Sequence, residues 1–357
     1  MKAVESEAVS AMPDAFLGVY DYSYAPYALG DCLTWQEKIL CGAIDHGYSK
    51  IRLCLVTDPW RPSCYLQPHI NTLNYPQFIQ SLYPAMFSNP LVESVQVFRD
   101  RYAFNLFLFT AWRKGIASWP SYEDHFNCEL DYISHKEINA FYDKHGYLPR
   151  LAAPRGYEAA VDGFIERYGR RRYLVTCNIR LSQMSRYPAD INRDSPIEVW
   201  HRFFALVGAR YPDVLFLYLG GYGEWDANMS KHPNVVIMRG IGFNLGHELA
   251  MIHRSDMFIG SSSGFAAAAT FSKTPYVITN MEPRFSRFNG VPVDEPRYPF
   301  GLDHQYISWV PETPELLMEN FERVYRATKG QREAAAQAAH AGDQVPAAPS
   351  SAVARAI

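Results

Sequence analysis

Two short apolar runs on either side of a loop of small residues constrain the fold of this chain most. Residues 257–259 (MFI) lead into the loop 260–264 (GSSSG), an alanine-rich segment follows, and residues 275–278 (PYVI) form the second run. This order of strand, loop, helix and strand is typical of a parallel α/β sheet. Because such open sheets bind ligands at the carboxyl ends of their strands, we expect the loop to face a ligand site.

The loop itself has the composition of an anion site. Glycine and serine before a helix present backbone N–H groups and hydroxyls to a phosphate, and the residues concerned are Ser261, Ser262, Ser263 and Gly264. The alternative is structural: small residues let the helix pack closely on the sheet, and a serine caps its N-terminus. The sequence contains neither a Walker A loop nor a GxGxxG fingerprint, so the loop does not define a nucleotide class.

The alternation of strand and helix recurs along the chain. Predicted strands are 16–20, 51–56, 92–98, 103–109, 173–179, 214–219, 235–238, 257–259 and 276–278. Predicted helices are 33–46, 76–89, 135–145, 158–168, 196–211, 244–252 and 313–329. A segment rich in proline and glycine, 146–156, predicts a boundary between α/β domains at 14–150 and 151–330, with a disordered alanine-rich tail at 331–357.

Composition excludes several classes of protein. A hydrophobic content of 48% fits globular cores, and a net charge of −3 argues against an extended nucleic-acid surface. The six cysteines show neither CxxC pairing nor zinc spacing, which favours a reducing compartment. No apolar run reaches the length of a membrane span, and the first residues lack a signal-peptide core. We therefore expect a soluble cytoplasmic protein that uses no nucleic acid, cofactor or metal, and we leave peripheral contact with a membrane open.

Three residues of the first domain are candidates for the general base of a group transfer. Asp31 follows Gly30 at the opening of the first helix, where a carboxylate could take a proton from a hydroxyl group. As a first-turn residue it could instead complement the helix dipole. Asp21 follows the first predicted strand, and His69 lies in the loop after the second. We rank Asp31 first and keep Asp21 and His69 as alternatives.

Two arginines of the second domain are candidates for binding a diphosphate. Arg180 follows a predicted strand in the segment CNIR, and Arg193 lies in the polar loop beyond it. The planar guanidinium group matches the spacing of phosphate oxygens. A surface salt bridge is the alternative for each.

Five further residues follow strands or open helices of the second domain. Gly221 would allow a ligand to approach the backbone closely, or would simply form a turn. Asn244, His247 and Glu248 open a predicted helix and could contact ribose or sugar hydroxyls, with helix capping as the alternative. Glu282, after the last core strand, could bind ribose hydroxyls, or it could be an ordinary loop acid.

The second half of the chain resembles the nucleotide-sugar domain of GT-B glycosyltransferases, especially bacterial heptosyltransferase-like and fucosyltransferase-like enzymes. The resemblance rests on the strand ending in NIR, the glycine turn after the next strand, and the block NLGHELAMIHRSDMFIGSSSGFAAAATFSKTPYVI. The segment ALGD at 28–31 looks like the acceptor-side loop of those enzymes. The resemblance implies two Rossmann-like domains that face a cleft, with Arg180 and the loop from Ser262 to Gly264 touching the donor diphosphate. Asn178 replaces the histidine of the fucosyltransferase HxRxG motif, so the resemblance does not identify the sugar.

Together these features predict a glycosyltransferase that moves a sugar from a nucleotide diphosphate-sugar to a hydroxyl of a surface glycan or glycoconjugate. The chain lacks the E-x7-E pattern of many retaining enzymes of this kind, which favours inversion at the anomeric carbon. The sequence has no DxD carboxylate pair, which favours a metal-independent reaction. The alternatives are a pyruvyl transferase, a nucleotide-sugar epimerase, or a catalytically silent nucleotide-binding module on the same fold.

Overall fold

The strands in the described part of the chain form two parallel sheets, one in each half of the sequence. The structure, a computed structural model, describes residues 14–64, 67–128, 130–169, 172–181, 194–221 and 226–342. The first sheet has the order β3-β2-β1-β4 and contains β1 (Phe16–Asp21), β2 (Ile51–Val56), β3 (Val92–Phe98) and β4 (Ser118–Trp119). The second has the order β10-β9-β8-β5-β6-β7 and contains β5 (Tyr173–Asn178), β6 (Val214–Tyr218), β7 (Val235–Ile237), β8 (Met257–Ser261), β9 (Tyr276–Thr279) and β10 (Gln305–Ile307). Every strand pair in both sheets is parallel, which confirms the predicted fold class.

Helices connect these strands on both faces of the sheets. Those of the first half are α1 (Leu29–Asp45), α2 (Tyr75–Leu82), α3 (Arg101–Arg113), α4 (Tyr122–Asn127) and α5 (Lys136–His145). Those of the second half are α6 (Glu158–Phe164), α7 (Ile197–Arg210), α8 (Leu245–Arg254), α9 (Gly264–Thr270), α10 (Phe285–Asn289) and α11 (Pro314–Gly342). Among the residues described, no helix is both long and apolar enough to span a bilayer.

One predicted strand is wrong, because residues 103–109 belong to helix α3. Asp100 caps this helix, with its Oδ1 accepting hydrogen bonds from the N–H groups of Tyr102 at 2.8 Å and Ala103 at 3.2 Å. The helix buries Phe104, Leu108 and Ala111 against the sheet. These residues are spaced by four and then three positions, which is a helical repeat that the dense apolar composition of the segment concealed.

Two helices are longer than predicted. α1 begins at Leu29 after Ala28, whose backbone is extended, so Gly30 and Asp31 lie inside its first turn. α11 continues through residues 331–342, where the sequence predicts a disordered tail. Alanine, glutamine, glutamate and arginine dominate this stretch, and all four are strong helix formers. Residues 343–357 lie outside the described part of the chain.

The two halves share one hydrophobic core. A single cluster of buried side chains includes Phe16 of β1 and Ile39 of α1 together with Phe258 of β8 and Ile278 of β9. The connecting segment is bonded to both halves, since Arg155 Nη2 donates to the carbonyls of Pro90 and Val92 at 2.8 Å and the N–H of Leu151 donates to the carbonyl of Phe271 at 2.9 Å. The carboxyl edges of the two sheets are therefore held in a defined relation to each other.

Candidate active site

The ends of neighbouring strands bring the predicted donor residues of the second half to one edge. The register aligns Asn178 of β5 with Gly260 of β8, and Ser261 of β8 with Thr279 of β9. Asn178 also reaches the strand on its other side, because its Nδ2 donates to the carbonyl of Leu219 at 2.8 Å. The segments after β5, β6, β8 and β9 therefore leave the sheet side by side.

Arg180 is held at this edge through its backbone and its side chain. Its N–H donates to Oγ of Ser261 at 2.8 Å, and its carbonyl accepts from the N–H of Ser195 at 3.0 Å. Its Nε lies 3.7 Å from Oδ1 of Asp194, and the side chain is 20% exposed. A partly exposed guanidinium oriented by a carboxylate is suited to binding a phosphate. Arg193, the second predicted clamp, lies outside the described residues.

The serine loop is ordered by hydrogen bonds within the second half. Ser261 is fully buried as the last residue of β8, and the N–H of Ser262 donates to the last carbonyl of β9 at 2.9 Å. Oγ of Ser263 caps α9 by accepting a first-turn N–H at 3.3 Å. Ser261 and Ser263 thus have structural roles, the first as a buried strand residue and the second as the helix cap. Ser262 is half-buried at the turn.

The first turns of α1 and α9 touch each other across the two halves. A Cβ atom added to Gly264 would lie 2.7 Å from the Cβ of Leu29 and 3.1 Å from the backbone nitrogen of Gly30. Asp31 is the next residue of the same turn and is half-buried. The structure therefore places the helix turn that carries Asp31, the first-ranked candidate for the general base, beside the predicted anion loop.

Glu248 supports the glycine turn after β6. The residue is completely buried, with Oε1 accepting the N–H of Gly220 at 3.0 Å and Oε2 lying 2.7 Å from Nη2 of Arg239. Since Glu248 has no exposed surface, it cannot make the predicted contact with a sugar hydroxyl in this conformation. Gly221, the residue after Gly220, is half-buried at the sheet edge.

Asn244 and His247 form a reciprocal cap at the start of α8. Oδ1 of Asn244 accepts the N–H of His247 at 3.3 Å, and Nδ1 of His247 accepts the N–H of Asn244 at 3.3 Å. The His247 ring lies between Phe243, at a centroid distance of 4.7 Å, and Tyr157, at 4.9 Å. Burial and the nearby charge of Arg239 lower the pKa of His247, so the neutral imidazole is favoured. The capping alternative is therefore realised at both residues.

The segment after β9 combines an acid with an uncommon backbone conformation. Glu282 is paired with Arg284, and its side chain is 15% exposed. Asn280 has a φ of 54°, and its Nδ2 lies 3.4 Å from the carbonyl oxygen of Asp194. Left-handed backbone at a residue other than glycine is uncommon and occurs often at ligand sites.

Asp21 lies at the centre of a buried network in the first half. Its two oxygens accept hydrogen bonds of 2.7 Å from Nη1 and Nη2 of Arg101, Nε2 of His125 lies 3.2 Å from Oδ2, and the N–H of Ser23 donates to Oδ1 at 3.0 Å. Burial by itself would raise the pKa of Asp21, but the hydrogen bonds from His125 and Arg101 and the charge of Arg101 outweigh it and lower that pKa. A buried carboxylate with a lowered pKa is poorly suited to act as a general base.

His69 lies in the loop after β2, at the same edge of the first sheet. Its ring is half-buried and packs 6.0 Å from the ring of Phe78. The loop is fixed to the connection between β1 and α1, because the hydroxyl of Tyr27 donates to the carbonyl of Pro62 at 2.6 Å. His69 therefore lies on the loop after β2, at the same sheet edge as the first turn of α1 that carries Asp31.

A buried acid that the sequence analysis did not single out lies behind the serine loop. Glu312 accepts hydrogen bonds from Nε1 of Trp200 at 3.0 Å and from Oγ1 of Thr279. Burial raises the pKa of Glu312, although hydrogen bonds from Thr279, Ser195 and Trp200 act in the opposite direction. Because Thr279 pairs with Ser261 in the sheet, Glu312 supports the strand ends from which the loop departs.

No local sequence pattern identifies the residues that support the site. Arg101 and His125 bond Asp21 from 80 and 104 positions away, and Glu312 bonds Thr279 from 33 positions away. In the described part of the chain, no three His, Cys, Asp or Glu side chains are arranged to hold a metal ion. Among the predicted residues that the structure describes, the cation at this edge of the second sheet is Arg180.

Comparison of the whole structure with solved structures identifies the fold. The chain is similar to a glycosyl transferase family 9 protein from Veillonella parvula, with a TM-score of 0.52 and 13% identity over 88% of this chain and 98% of that one. It is also similar to ADP-heptose LPS heptosyltransferase II from E. coli, with a TM-score of 0.51 and 11% identity over 88% of this chain and 99% of that one. The chain has the GT-B fold. No family model and no curated protein sequence matches it.

The GT-B fold covers both halves of the chain, although the sequence resemblance was specific only in the second. The superposition spans 88% of this chain and nearly the full length of the two neighbours. In the GT-B fold of this chain, the carboxyl edges of the two sheets meet where α1 and α9 touch. This junction is the candidate active site.

Proposed function

We propose that this protein is a glycosyltransferase that moves a sugar from a nucleotide diphosphate-sugar to a hydroxyl group of a glycan or glycoconjugate. The observation that carries the proposal is the contact between the first turn of α1, which holds Asp31, and the start of α9 at Gly264. It brings the helix turn that carries Asp31 next to the candidate phosphate loop of the other half. The named substrate of the E. coli neighbour, ADP-heptose, supports a donor of the nucleotide diphosphate-sugar class.

The donor binds the second half in this proposal. Arg180 neutralises the diphosphate, with Arg193 as a second cation. The loop from Ser262 to Gly264 donates hydrogen bonds to it from the hydroxyl of Ser262 and the N–H groups of Ser263 and Gly264. Gly221 lets the nucleotide approach the backbone of the neighbouring turn. Asn244, His247 and Glu282 lie on the segments that border this edge, where a ribose or a sugar would contact them.

The acceptor binds the first half, and the reaction is a direct displacement. The acceptor oxygen attacks the anomeric carbon while Asp31 takes its proton. The bond between the anomeric carbon and the diphosphate oxygen breaks, and its electron pair leaves with the nucleotide diphosphate. Arg180 and backbone N–H groups stabilise that charge without a metal ion. One displacement inverts the anomeric centre.

The first experiment is a screen of nucleotide-sugars for hydrolysis and for transfer to glycan acceptors, with and without EDTA. We expect release of nucleoside diphosphate that EDTA does not abolish. Interconversion of the sugar without release of nucleotide would favour an epimerase, and transfer of a pyruvyl group would favour a pyruvyl transferase. Absence of nucleotide binding at millimolar concentration would contradict the proposal, and nucleotide binding without any turnover would favour a silent nucleotide-binding module.

The second experiment tests Asp31 as the base. Asp31→Asn keeps the shape of the side chain and removes the carboxylate, so turnover should fall by about 10²-fold or more while nucleotide affinity changes little. Asp45→Asn at the other end of α1, where Asp45 pairs with Lys144 and His145 on the surface, is the matched control. Turnover near the wild-type value in Asp31→Asn would transfer the role to His69 or another group.

We place this activity in the cytoplasm as part of the same proposal. The six cysteines are free thiols, and five of them are buried. Unpaired cysteines in this number are typical of proteins in a reducing compartment.

A further inference from the structure

The loop after β2 displays a tryptophan to solvent at the carboxyl edge of the first sheet. Trp60 is 94% exposed, although tryptophan is on average a largely buried residue. It lies in a tight turn, in which the N–H of Arg61 donates to the carbonyl of Asp58 at 3.0 Å. Single exposed apolar side chains are common on protein surfaces, so this exposure becomes informative through the position and the rigidity of the turn.

The residues of the turn fix its conformation. Asp58 and Pro59 occupy the first two positions, where both are favoured, and Oδ1 of Asp58 accepts the N–H of Trp60 at 2.9 Å. Oδ2 of Asp58 lies 3.5 Å from Nε of Arg101, whose guanidinium also bonds Asp21. The turn is therefore tied to the buried network at the carboxyl end of β1.

Two further hydrogen bonds join the turn to the segment that leads into α1. Oγ of Ser23 donates to the carbonyl of Arg61 at 2.9 Å, and the hydroxyl of Tyr27 donates to the carbonyl of Pro62 at 2.6 Å. Tyr27 is four positions before Asp31, so the turn and the start of α1 border the same part of the sheet edge. Because the turn is already ordered, a ligand that binds it loses little free energy in fixing its conformation.

From this arrangement we infer that Trp60 stacks on a second sugar ring of the acceptor, beyond the ring whose hydroxyl group reacts. The inference rests on the proposed function and adds that the acceptor is an oligosaccharide of at least two rings. One face of a pyranose ring presents C–H groups, which pack on the apolar, partially negative face of an indole ring. The hydroxyl groups of that sugar need hydrogen-bond partners, and the exposed guanidinium of Arg61 carries N–H donors at the next position of the chain.

The exposure of Trp60 explains why the stacked ring is not the reacting one. Asp31 is half-buried in a helix turn that touches Gly264 of the other half. A side chain that took part in this contact would be covered, whereas Trp60 is almost fully open to solvent. Since the reacting hydroxyl must come within hydrogen-bond reach of the base Asp31, the ring that covers Trp60 is a different ring of the same acceptor.

The nucleobase of the donor is a second candidate for stacking, because bases also pack on aromatic side chains. The contacts that hold the turn are made by Ser23, Tyr27 and Arg101, which belong to the first half. In the proposed reaction the donor occupies the second half and the acceptor the first. The position of Trp60 therefore favours the acceptor.

The first experiment measures glycan binding without any reaction. A printed array of mono-, di- and trisaccharides of hexoses, heptoses, 6-deoxyhexoses and N-acetylhexosamines is probed with the fluorescently labelled full chain. We expect the wild type to bind at least one di- or trisaccharide more tightly than its component monosaccharides. Trp60→Ala should weaken this binding about tenfold, because tryptophan anchors contribute strongly to binding, and Trp60→Phe should retain most of it.

Trp112→Ala is the matched control. Trp112 is also exposed, at 42%, but it lies on α3 and its Nε1 donates to Glu123, so its removal should leave glycan binding as in the wild type. Because Trp60 is 94% exposed, Trp60→Ala should keep the wild-type melting temperature, which verifies that the variant is folded.

The second experiment measures transfer to the acceptor found in the nucleotide-sugar screen and to its truncated forms. Trp60→Ala should raise the KM for acceptors of two or three rings about tenfold and change kcat little, since stacking away from the reacting ring contributes equally to the ground state and the transition state. The preference of the wild type for the longer acceptors over the monosaccharide should disappear in Trp60→Ala and persist in Trp112→Ala.

Three results would overturn the inference. They are absence of wild-type binding to every di- and trisaccharide of the array, equal binding by Trp60→Ala and wild type, and weaker nucleotide binding in Trp60→Ala, which would assign Trp60 to the donor. Failure of the proposed function gives a different result. Glycan binding that depends on Trp60 without any sugar transfer would support the glycan site and contradict the transferase, whereas transfer that is indifferent to acceptor length and to Trp60 would do the reverse.

Discussion

Arg180 allows a quantitative test of the donor site at the scale of a single residue. A hydrogen bond to a charged group contributes about 1.5–3 kcal/mol, so Arg180→Ala should weaken binding of a nucleoside diphosphate by roughly tenfold to a hundredfold. Isothermal calorimetry measures the affinity. Arg210→Ala in the same half, which removes an exposed arginine 3.5 Å from Glu322, should leave it unchanged. Equal affinity of Arg180→Ala and wild type, with the thermal transition intact, would exclude Arg180 from the site.

Asp21 should behave differently from Asp31, because its partners are structural. Asp21→Asn removes the buried partner of Arg101 and leaves the guanidinium with the carboxylate of Asp58, 3.5 Å from its Nε. Breaking a buried ion pair costs about 3–5 kcal/mol. We expect a lower unfolding free energy than that of the wild type in denaturant titration. An unfolding free energy equal to that of the wild type would show that the network around Asp21 contributes little to the fold.

Which residues could be predicted depends on the range of their contacts. The cap at Ser263 and the position of Asp31 beside a helix start follow from local order in the sequence, and the structure has both. The burial of Glu248 could not be predicted, because it results from Arg239 and Gly220 packing over the residue. The network of Asp21 depends on contacts across 80 or more positions, which one sequence does not specify.

At the scale of elements, strands were easier to predict than the helix that covers them. Buried parallel strands such as β2 are short apolar runs bounded by polar residues, and β2 has the predicted bounds of 51–56. α3 is apolar on both its inner and its outer face, so its composition resembles that of a buried strand, and only the cap at Asp100 distinguishes the two locally. The two-residue strand β4 is too short to give any periodic signal.

The contact between α1 and α9 should be sensitive to a single methyl group. A Cβ at residue 264 would lie 2.7 Å from the Cβ of Leu29, so Gly264→Ala should force the helices apart and destabilise the protein by about 1–3 kcal/mol. Gly163→Ala in α6 is the control, since nothing lies within 4 Å of its Cβ and alanine is the better helix former. Thermal unfolding of both variants measures the difference. Equal melting temperatures would show that the helices can separate without cost.

At the scale of the whole molecule, acid should loosen the packing of the two halves through His135. Burial lowers the pKa of His135 from 6.5 to about 3, and its ring packs against Phe271 and Tyr298 of the second half at 5.4 and 5.6 Å. Below pH 6.5 the unfolded chain binds a proton at this residue that the folded chain does not. The stability that His135 contributes is therefore complete above pH 6.5 and is lost as pH falls, by about 2 kcal/mol at pH 5.

The measurement must separate His135 from groups that change the stability in the opposite direction as pH falls. Burial raises the pKa of Glu37 well above its usual value, so Glu37 makes the folded chain more stable as pH falls. The difference in unfolding free energy between wild type and His135→Phe removes that contribution. We expect the wild type to lose stability relative to His135→Phe between pH 6.5 and 5. Parallel pH profiles would mean that His135 titrates alike in the folded and unfolded chains.

The shared hydrophobic core has a consequence for modularity. Because residues of both sheets belong to one buried cluster and the connecting segment is bonded to both halves, a cut at the proposed boundary between 150 and 151 would expose apolar surface on each fragment. We therefore expect one calorimetric transition for the whole chain and no independent folding of either half. A chimaera that exchanged the second half for that of another GT-B protein would have to carry along the residues of α1 that meet α9. Exchange of donor specificity by recombination is thus limited at the surface where the two substrates would meet.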